Sequence, residues 1–282
     1  MAAIGCTLLL HSQKVNIKYV YNANPEGPAM SRQIKVIAFD LDGTLYLGNE
    51  AVEGAVETLA ALEKSGLDIV YFTNNSAKTN RQIEIKLCSL GFNATERNTY
   101  TASYACSRYL EREGIDEVYL IGSDDFGNDL KHRGIKIVEP EQARAVVVGL
   151  DLGLTYERIA GALHAIRKGA RLVVANLDAS YPIECGQRLP GCGAMVGAVV
   201  GATGHEPDFI AGKPNTYMLE LLCTDLGVGP DEICVVGDSI ESDIEMAKRF
   251  RCTSILYDRE NEHAGYSGER VSFLKEIVNL IN

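Results

Sequence analysis

Blocks of apolar and polar positions alternate along the chain in a way that predicts alternating strands and helices. The run IKVIAFD, residues 34–40, is apolar and β-branched, as expected of a strand buried on both faces. Residues 53–66 have apolar positions at helical spacing and end at a glycine, which predicts a helix. Further strand-type runs, separated by helix-type segments, are LDIVYFTN, EVYLIG, EICVVGD and CTSILY. This alternation predicts a parallel sheet with helices on both faces.

The middle of the chain repeats the alternation on a smaller scale. ARAVVVGLD and ARLVVANLD read as strands on either side of the helical TYERIAGALHAIRKG, and a Gly- and Pro-rich run follows. Because strands like the earlier ones resume afterwards, this block is interpreted as an inserted α/β domain. The predicted organisation is an N-terminal extension at 1–33, a core at 34–123 and 207–282, and the insert at 124–206. The extension is expected to be peripheral, with Met30 an alternative start.

Composition and charge exclude several classes of partner. The 282 residues are 46% hydrophobic and carry a net charge of -11, from 38 acidic against 27 basic residues that form no patch. This balance argues against a nucleic-acid partner. No apolar run approaches the roughly 18 residues of a membrane span, and the first residues lack a basic secretory signal. With eight cysteines and no CxxC pair, a soluble cytoplasmic protein is expected.

Four polar clusters fall at or near the carboxyl ends of predicted strands. They are DLDGT at 40–44, TNN at 73–75, GKP at 212–214 and GDSIESD at 237–243. In open parallel sheets the reactive groups gather at these strand ends. A single strand-terminal Asp is usually a cap or turn residue, but four clusters together predict one functional site.

The acidic members of these clusters indicate a metal. Asp40, Asp42, Asp238 and Asp243 would place up to four negative charges in one cleft. A hard cation with oxygen ligands is needed to neutralise them, and Mg²⁺ fits that requirement best.

The remaining groups suit a phosphate. Lys213 offers a point charge and Thr73 a hydroxyl, and the backbone N–H groups around Gly43 and Asn74 can form a concavity for an anion. An acidic protein could bind an anion in this way because the metal and the lysine together offset the carboxylates.

These motifs resemble motifs one to four of the haloacid dehalogenase superfamily of phosphotransferases. The insert, including LPGCGAMVGA, resembles the cap domain of the class IIA members, which are NagD-like and 4-nitrophenylphosphatase-like phosphatases. The resemblance covers nearly the whole chain from about Ile34. It implies a doubly wound, Rossmann-like parallel-sheet core with an inserted α/β cap, and metal-dependent hydrolysis of a small phosphorylated metabolite.

The resemblance also implies roles for the four aspartates. Asp40 corresponds to the nucleophile that becomes an aspartyl phosphate. Asp42 corresponds to the general acid and base, and its main-chain carbonyl would bind the metal. Asp238 corresponds to a direct metal ligand, and Asp243 to a second acidic position that acts on the metal through water.

The other motif residues are expected to bind the phosphoryl group or the substrate. Thr73 and Asn74 match the phosphoryl-binding second motif, and Lys213 matches the lysine that steadies the nucleophile and the transferring group. In the cap, Asp178 and Arg188 are candidates for substrate contact, with a turn-forming role for Asp178 as the alternative.

Two alternative functions stay open from the sequence. The chain could bind a phospho-ligand without turnover, or it could perform another phosphotransferase reaction on the same fold. Independently of its function, copies of the chain could assemble through the cap.

Cys106 and Arg112 have the spacing of a cysteine-phosphatase loop. That segment lacks the necessary glycines and is helical in pattern, so chance is the preferred explanation.

Overall fold

A computed structural model describes residues 33–182 and 187–281. The predicted extension at 1–33, apart from Gln33, and the alternative start at Met30 lie outside the described residues.

Strands and helices alternate along most of the described chain. The strands are β1 Val36–Asp40, β2 Tyr46–Leu47, β3 Glu50–Ala51, β4 Asp68–Thr73, β5 Thr99–Thr101, β6 Glu117–Ile121, β7 Lys136–Ile137, β8 Ala145–Val148, β9 Arg171–Val174, β10 Ser180–Pro182, β11 Arg188–Pro190, β12 Phe209–Ile210, β13 Ile233–Gly237, β14 Thr253–Tyr257 and β15 Arg270–Val271. The helices are α1 Ala55–Lys64, α2 Asn80–Ser89, α3 Ala102–Glu113, α4 Asp124–His132, α5 Tyr156–Arg167, α6 Cys192–Thr203, α7 Tyr217–Leu226, α8 Glu245–Phe250 and α9 Ile277–Ile281.

The first sheet has the strand order β15-β14-β13-β1-β4-β5, and all of its pairings are parallel. From β1 the chain moves to β4 and β5 on one side, and only later to β13, β14 and β15 on the other. The strand order therefore reverses between β1 and β13. In doubly wound sheets, ligands bind at this switch point, beyond the carboxyl ends of the strands.

Each face of this sheet carries its own apolar cluster, because successive side chains of a strand point to opposite faces. Val36 and Ala38 of β1 belong to the cluster that includes α3 and α7. Ile37 and Phe39 belong to the cluster that includes α1, α2 and α9. All five residues of β1 are buried, as the unbroken apolar run predicted. With helices on both faces of a parallel sheet, the predicted fold class is confirmed.

The second sheet has the order β12-β9-β8-β6-β7, again with parallel pairings. The sequence interpretation placed residues 117–122 in the first part of the core, and this is wrong. They form β6, whose Val118 pairs with Ala145 of β8. The strands of the second sheet thus span residues 117–210, so they cross the boundaries predicted at 123/124 and 206/207. A buried parallel strand has the same apolar pattern in either sheet, and only its pairing partner decides where it belongs.

The second sheet packs α5 and α6 against one face, where Val146 and Val148 meet alanines and valines of both helices. A small antiparallel hairpin, β10 with β11, precedes α6. Within the described ranges, none of the helices combines the length and apolarity needed to cross a bilayer.

Candidate active site

The register of the first sheet brings three of the four polar clusters together. Asp40 is the last residue of β1 and pairs with Phe72 of β4, so Thr73 follows directly beside it. On the other side Phe39 pairs with Val236 of β13, which places the end of β13 and Asp238 next to Asp40. The site therefore lies at the switch point of the sheet.

The fourth cluster contributes a lysine to the centre of the site. The Nζ atom of Lys213 lies 2.5 Å from Oδ1 of Asp40 and 2.6 Å from Oδ1 of Asp243. Its side chain is 3% exposed. Burial alone lowers the pKa of Lys213, but the charges of Asp243 and Asp40 outweigh burial and raise that pKa overall. Lys213 is therefore a fixed positive charge shared by two carboxylates.

A single wide helical turn directs Asp243 into the site. Ile240–Ile244 forms a turn of π-helix, and the Oγ atom of Ser239 accepts a hydrogen bond from the N–H group of Ser242 at its start. Such turns often occur at functional sites. Oδ2 of Asp243 accepts a hydrogen bond from the Ser239 N–H group at 3.3 Å. The turn thereby fixes a carboxylate that is almost fully buried.

Carboxylate oxygens of Asp40, Asp238 and Asp243 lie within 4.8 Å of one another. When all three carboxylates are ionised, they leave two negative charges against the single ammonium of Lys213. Burial, with repulsion from Asp40, raises the pKa of Asp238 to about 6. Burial also raises the pKa of Asp243 to about 7, although Lys213 opposes the rise. An all-oxygen donor set with this excess charge fits a hard divalent cation.

Asp42 lies outside this trio and has a different environment. Asp42 is exposed to solvent, and its Oδ2 atom accepts a hydrogen bond from the Tyr46 hydroxyl at 3.2 Å. The surrounding protein displaces much of the bulk water. This desolvation, together with the negative charge of Asp40, raises the pKa of Asp42.

Gly43 lies where the neighbouring Asp238 leaves no room for a side chain. Its φ angle is +99°, and a Cβ atom there would lie 2.2 Å from Oδ2 of Asp238, so only glycine fits. The Gly43 N–H group donates to the Tyr46 carbonyl at 3.0 Å. The sequence interpretation placed phosphate donors among the N–H groups around Gly43, and of these the N–H group of Gly43 itself is directed to Tyr46.

Thr73 and Asn74 occupy the expected place, but their side chains differ in what they contact. Oγ1 of buried Thr73 accepts from the Asn75 N–H group at 3.1 Å, which leaves its O–H group to donate. The Asn74 side chain is occupied: Oδ1 accepts from the Lys213 N–H at 2.8 Å, and Nδ2 donates to the Lys213 carbonyl at 3.1 Å. Nδ2 also donates to Oδ1 of Asp178 at 3.0 Å. Asn74 thus holds the lysine loop and Asp178 together.

The loop that follows β4, residues 74–77, is bonded to three loops of the second sheet. The Asn74 carbonyl accepts from Nδ2 of Asn176 at 2.5 Å, and the Ala77 carbonyl accepts from the Ser123 hydroxyl at 2.7 Å. The hydroxyl of Ser76 accepts from the Leu150 N–H group at 3.0 Å. Sequence reasoning missed Asn176, although its place two residues before Asp178 at a strand end was a usable signal.

The two predicted cap residues lie in different surroundings. Asp178 both forms a turn, with its N–H group donating to Oδ1 of Asn176 at 3.0 Å, and reaches Asn74 at the site. Burial raises the pKa of Asp178. Arg188 is exposed on β11 and is bonded to Ser180 of the same hairpin, through Nε at 2.8 Å and Nη2 at 3.0 Å.

Cys106 does not form a second nucleophilic centre. It is fully buried within α3, and burial strongly raises the pKa of its thiol. The preference for chance over a cysteine-phosphatase loop is therefore confirmed.

Known proteins match this chain over most of its length. A family model for "Haloacid dehalogenase-like hydrolase" matches residues 37–136, and a HAD-hydrolase-like model matches residues 210–270. The acid sugar phosphatase of Staphylococcus haemolyticus is 35% identical over 214 residues, which are 76% of this chain and 81% of that protein. The chain belongs to the haloacid dehalogenase-like hydrolases.

Further relatives show which branch of the haloacid dehalogenase-like family this chain resembles. The 5'-nucleotidase YutF of Bacillus subtilis is 37% identical over 206 residues, 73% of this chain and 79% of that protein. The solved structure of a p-nitrophenyl phosphatase from Archaeoglobus fulgidus has a TM-score of 0.82 and 28% identity, and the match covers 88% of this chain and 99% of that one. The predicted NagD-like, 4-nitrophenylphosphatase-like branch and the prediction of a phosphatase are confirmed.

Proposed function

We propose that this chain hydrolyses small phosphomonoesters in a Mg²⁺-dependent reaction that passes through an aspartyl phosphate on Asp40. One observation carries the proposal: the Asp40 carboxylate at the end of the central strand is bonded to the buried Lys213 and lies within 4.8 Å of two further carboxylates. This combination provides an oriented nucleophile beside a site for a divalent cation.

Asp40 would act as the nucleophile. Lys213 engages Oδ1 of Asp40, so the second oxygen can attack phosphorus. A bond forms between this oxygen and phosphorus while the bond from phosphorus to the leaving oxygen breaks. Asp40, Asp238, Asp243 and the main-chain carbonyl of Asp42 would hold Mg²⁺, whose charge offsets the carboxylates and the phosphoryl oxygens when it is bound. The hydroxyl of Thr73 and the ammonium of Lys213 would bind phosphoryl oxygens.

Asp42 would carry the proton in both half-reactions. It gives a proton to the leaving oxygen in the first step. In the second step it takes a proton from the water that attacks phosphorus, and the bond between phosphorus and Asp40 breaks. The exposure of Asp42 in the cleft supports this role, since both the leaving group and the water must reach it.

The substrate class is proposed from the relatives. Those compared above are named acid sugar phosphatase, 5'-nucleotidase and p-nitrophenyl phosphatase, and these names point to small phosphorylated compounds. A second sheet bonded to the loop after β4 supports a small substrate, because it encloses the site on that side and leaves less room for a macromolecule. Sugar phosphates and nucleoside monophosphates are therefore the first candidates.

A phosphate-release screen tests the proposal. The full chain is assayed with Mg²⁺ and with EDTA against sugar phosphates, nucleoside monophosphates and 4-nitrophenyl phosphate, with Asp40→Asn as the inactive control. Release that requires Mg²⁺ and Asp40 is expected. Saturable binding of these ligands without release from any of them would instead support a binding protein.

Mg²⁺ is expected to raise the melting temperature more at about pH 8 than at about pH 5. Without a cation, the folded state holds protons on Asp238 and Asp243, whose pKa values of about 6 and about 7 exceed the ordinary 3.8. Their contribution to the free energy of unfolding therefore falls as the pH rises from about 4 to about 8, and is constant above that range. Mg²⁺ displaces these protons, so its binding strengthens across the same window.

Differential scanning fluorimetry with and without Mg²⁺ at the two pH values measures this difference. Asp238→Asn is the control, and it should lose most of the Mg²⁺-dependent shift. An equal or larger shift at the lower pH would contradict the carboxylate site.

Asp178 is expected to support turnover of every substrate. Asp178→Ala removes the acceptor for Nδ2 of Asn74 and frees the side chain that holds the Lys213 loop. We expect kcat/KM to fall about five- to tenfold on all substrates, the usual effect of losing one hydrogen bond. Asp178→Asn keeps an acceptor oxygen and should stay within about twofold. Steady-state kinetics on three substrates measure these losses. A loss confined to one substrate would mean that Asp178 contacts that substrate directly.

Arg188 is expected to affect selectivity. Its guanidinium is exposed, and among the described residues its hydrogen bonds go to Ser180 of its own hairpin, so Arg188→Ala should leave turnover of 4-nitrophenyl phosphate within about twofold. The relative kcat/KM of natural substrates should change by up to about tenfold if Arg188 contacts the leaving group. Identical changes on every substrate would rule out this role.

A further inference from the structure

The hydroxyl of Tyr46 needs an explanation that the packing of its ring does not give. Tyr46 is 1% exposed, and its ring belongs to the apolar cluster that includes α1 and α2. A phenylalanine would fill the same volume with the same apolar surface. The hydroxyl, however, donates to Oδ2 of Asp42 at 3.2 Å. It is therefore placed for a contact with this carboxylate.

A closed turn of the backbone fixes the distance between the two residues. The N–H group of Gly43 donates to the Tyr46 carbonyl at 3.0 Å. In the same turn, the Tyr46 N–H group donates to the carbonyl of Leu41 at 3.2 Å. Because Asp42 and Tyr46 lie within one hydrogen-bonded loop, the hydroxyl meets the carboxyl group without a long-range adjustment.

Lys86 of α2 fixes the ring from outside the loop. Its Nζ atom lies 3.6 Å from the centroid of the Tyr46 ring, which is a close cation–π contact. The ring is thus held by the apolar cluster and by a half-buried ammonium. The positive charge of Lys86 also favours the ionised form of Asp42, as does the Tyr46 hydroxyl. Burial and the charges of Asp42 and Asp40 raise the pKa of Tyr46, so its phenol keeps the proton that it donates.

From these contacts we infer that Tyr46 is a positioning residue for Asp42, and that Lys86 supports it by holding its ring. The inference rests on the proposed role of Asp42 in proton transfer. The Tyr46 hydroxyl occupies Oδ2 and prevents rotation of the carboxyl group, which leaves Oδ1 to exchange the proton with the leaving oxygen or with water. Tyr46 itself makes and breaks no covalent bond.

The dependence of kcat/KM on the leaving group distinguishes a loss of Asp42 positioning from a general disruption of the active site. 4-Nitrophenolate departs without a proton, whereas an alkoxide leaving group, as in glycerol phosphate, needs one. For Tyr46→Phe we expect kcat/KM on glycerol phosphate to fall about tenfold, and on 4-nitrophenyl phosphate by less than about twofold. On 4-nitrophenyl phosphate we expect kcat and KM to fall together, because slower hydrolysis of the aspartyl phosphate lowers both and leaves kcat/KM almost unchanged. Lys86→Met should give a smaller change in the same direction, and Lys86→Arg should restore the original ratio.

Tyr71→Phe is the matched control. Tyr71 in β4 is also fully buried, and its hydroxyl has no hydrogen-bond partner among the described residues. Removing this hydroxyl should leave both substrates unaffected. Melting temperatures of the two variants should be similar, which shows that Tyr46→Phe folds normally.

A double-mutant cycle completes the test. Asp42→Asn should show the leaving-group signature by itself, and adding Tyr46→Phe to it should bring no further selective loss. Equal losses on both substrates, no loss, or a selective loss that persists in the Asp42→Asn background would overturn the inference. If the unaltered chain hydrolyses neither substrate, the proposed function fails first; if it hydrolyses both and only Tyr46→Phe lacks the signature, the inference alone fails.

Discussion

Asp40→Asn is expected to abolish phosphoryl transfer from every substrate while the protein stays folded. An amide is close in shape to the carboxylate, and its oxygen can still accept from Lys213, but it is not a nucleophile at phosphorus. We expect a loss of at least about 10⁴-fold, the size seen when a nucleophile is removed from a site that otherwise stays intact. Steady-state phosphate release measures the loss, and the melting temperature checks the fold.

Asp42→Asn should differ from Asp40→Asn in kind. With 4-nitrophenyl phosphate the leaving group departs without a proton, so the first step should survive in part. Hydrolysis of the aspartyl phosphate needs an activated water and should become slow. Rapid mixing with intact-mass measurement should therefore detect a burst of nitrophenol and an acid-stable, base-labile phosphoenzyme. A phosphoenzyme on the Asp40 variant, or full turnover by the Asp42 variant, would mean that the two roles are assigned wrongly.

Lys213→Met is expected to cost both stability and activity. Removing the ammonium leaves Asp40 and Asp243 as buried carboxylates without their shared partner. Breaking a buried pair in this way costs about 3 kcal/mol of the free energy of unfolding. The cost should be smaller at low pH, because the orphaned carboxylates can then take up protons. Activity should fall by about 10³-fold, since the group that orients the nucleophile and binds the phosphoryl group is lost.

Urea denaturation at neutral and low pH measures the stability loss. Lys35→Met is the control, because Lys35 forms an ion pair with Glu232 at 2.7 Å but is 61% exposed. Exposed pairs of this kind contribute less than about 1 kcal/mol. If the two variants lose similar stability, Lys213 is not the electrostatic centre of the site.

The central strands could be predicted from the sequence because burial on both faces leaves an unbroken apolar signature. The runs at residues 34–40 and 232–238 predicted β1 to within two residues and β13 to within one residue at each end. The short strands β5, β7, β12 and β15 have only two or three residues, too few for a periodic pattern. The assignment of β6 to the core was wrong for a different reason. The apolar residues of β6 indicate a buried strand, but they do not indicate which of the two sheets contains it.

Some residues of the candidate site could be predicted from the sequence and others could not. The carboxylates and Lys213 could be predicted, because charged residues at or near strand ends are local features of the sequence. The bridging role of Asn74 could not, because its partners Asp178 and Lys213 lie 104 and 139 residues away. Tyr46 occupies an apolar position and reads as core. Only the structure places its hydroxyl on Asp42, four residues earlier in the same loop.

The position of β1 in the first sheet has a consequence for synthesis of the chain. Its partner on one side, β4, follows within about thirty residues, but its partner on the other side, β13, comes almost two hundred residues later. Lys213 is itself 173 residues after Asp40, which at ribosomal rates is roughly 10–35 s. During that time one edge of β1, whose first four residues are apolar, has no partner, and open edges of this kind template aggregation. A nascent chain or fragment that ends before β13 therefore exposes an unpaired edge of β1, and this edge must be kept from pairing with strands of other chains.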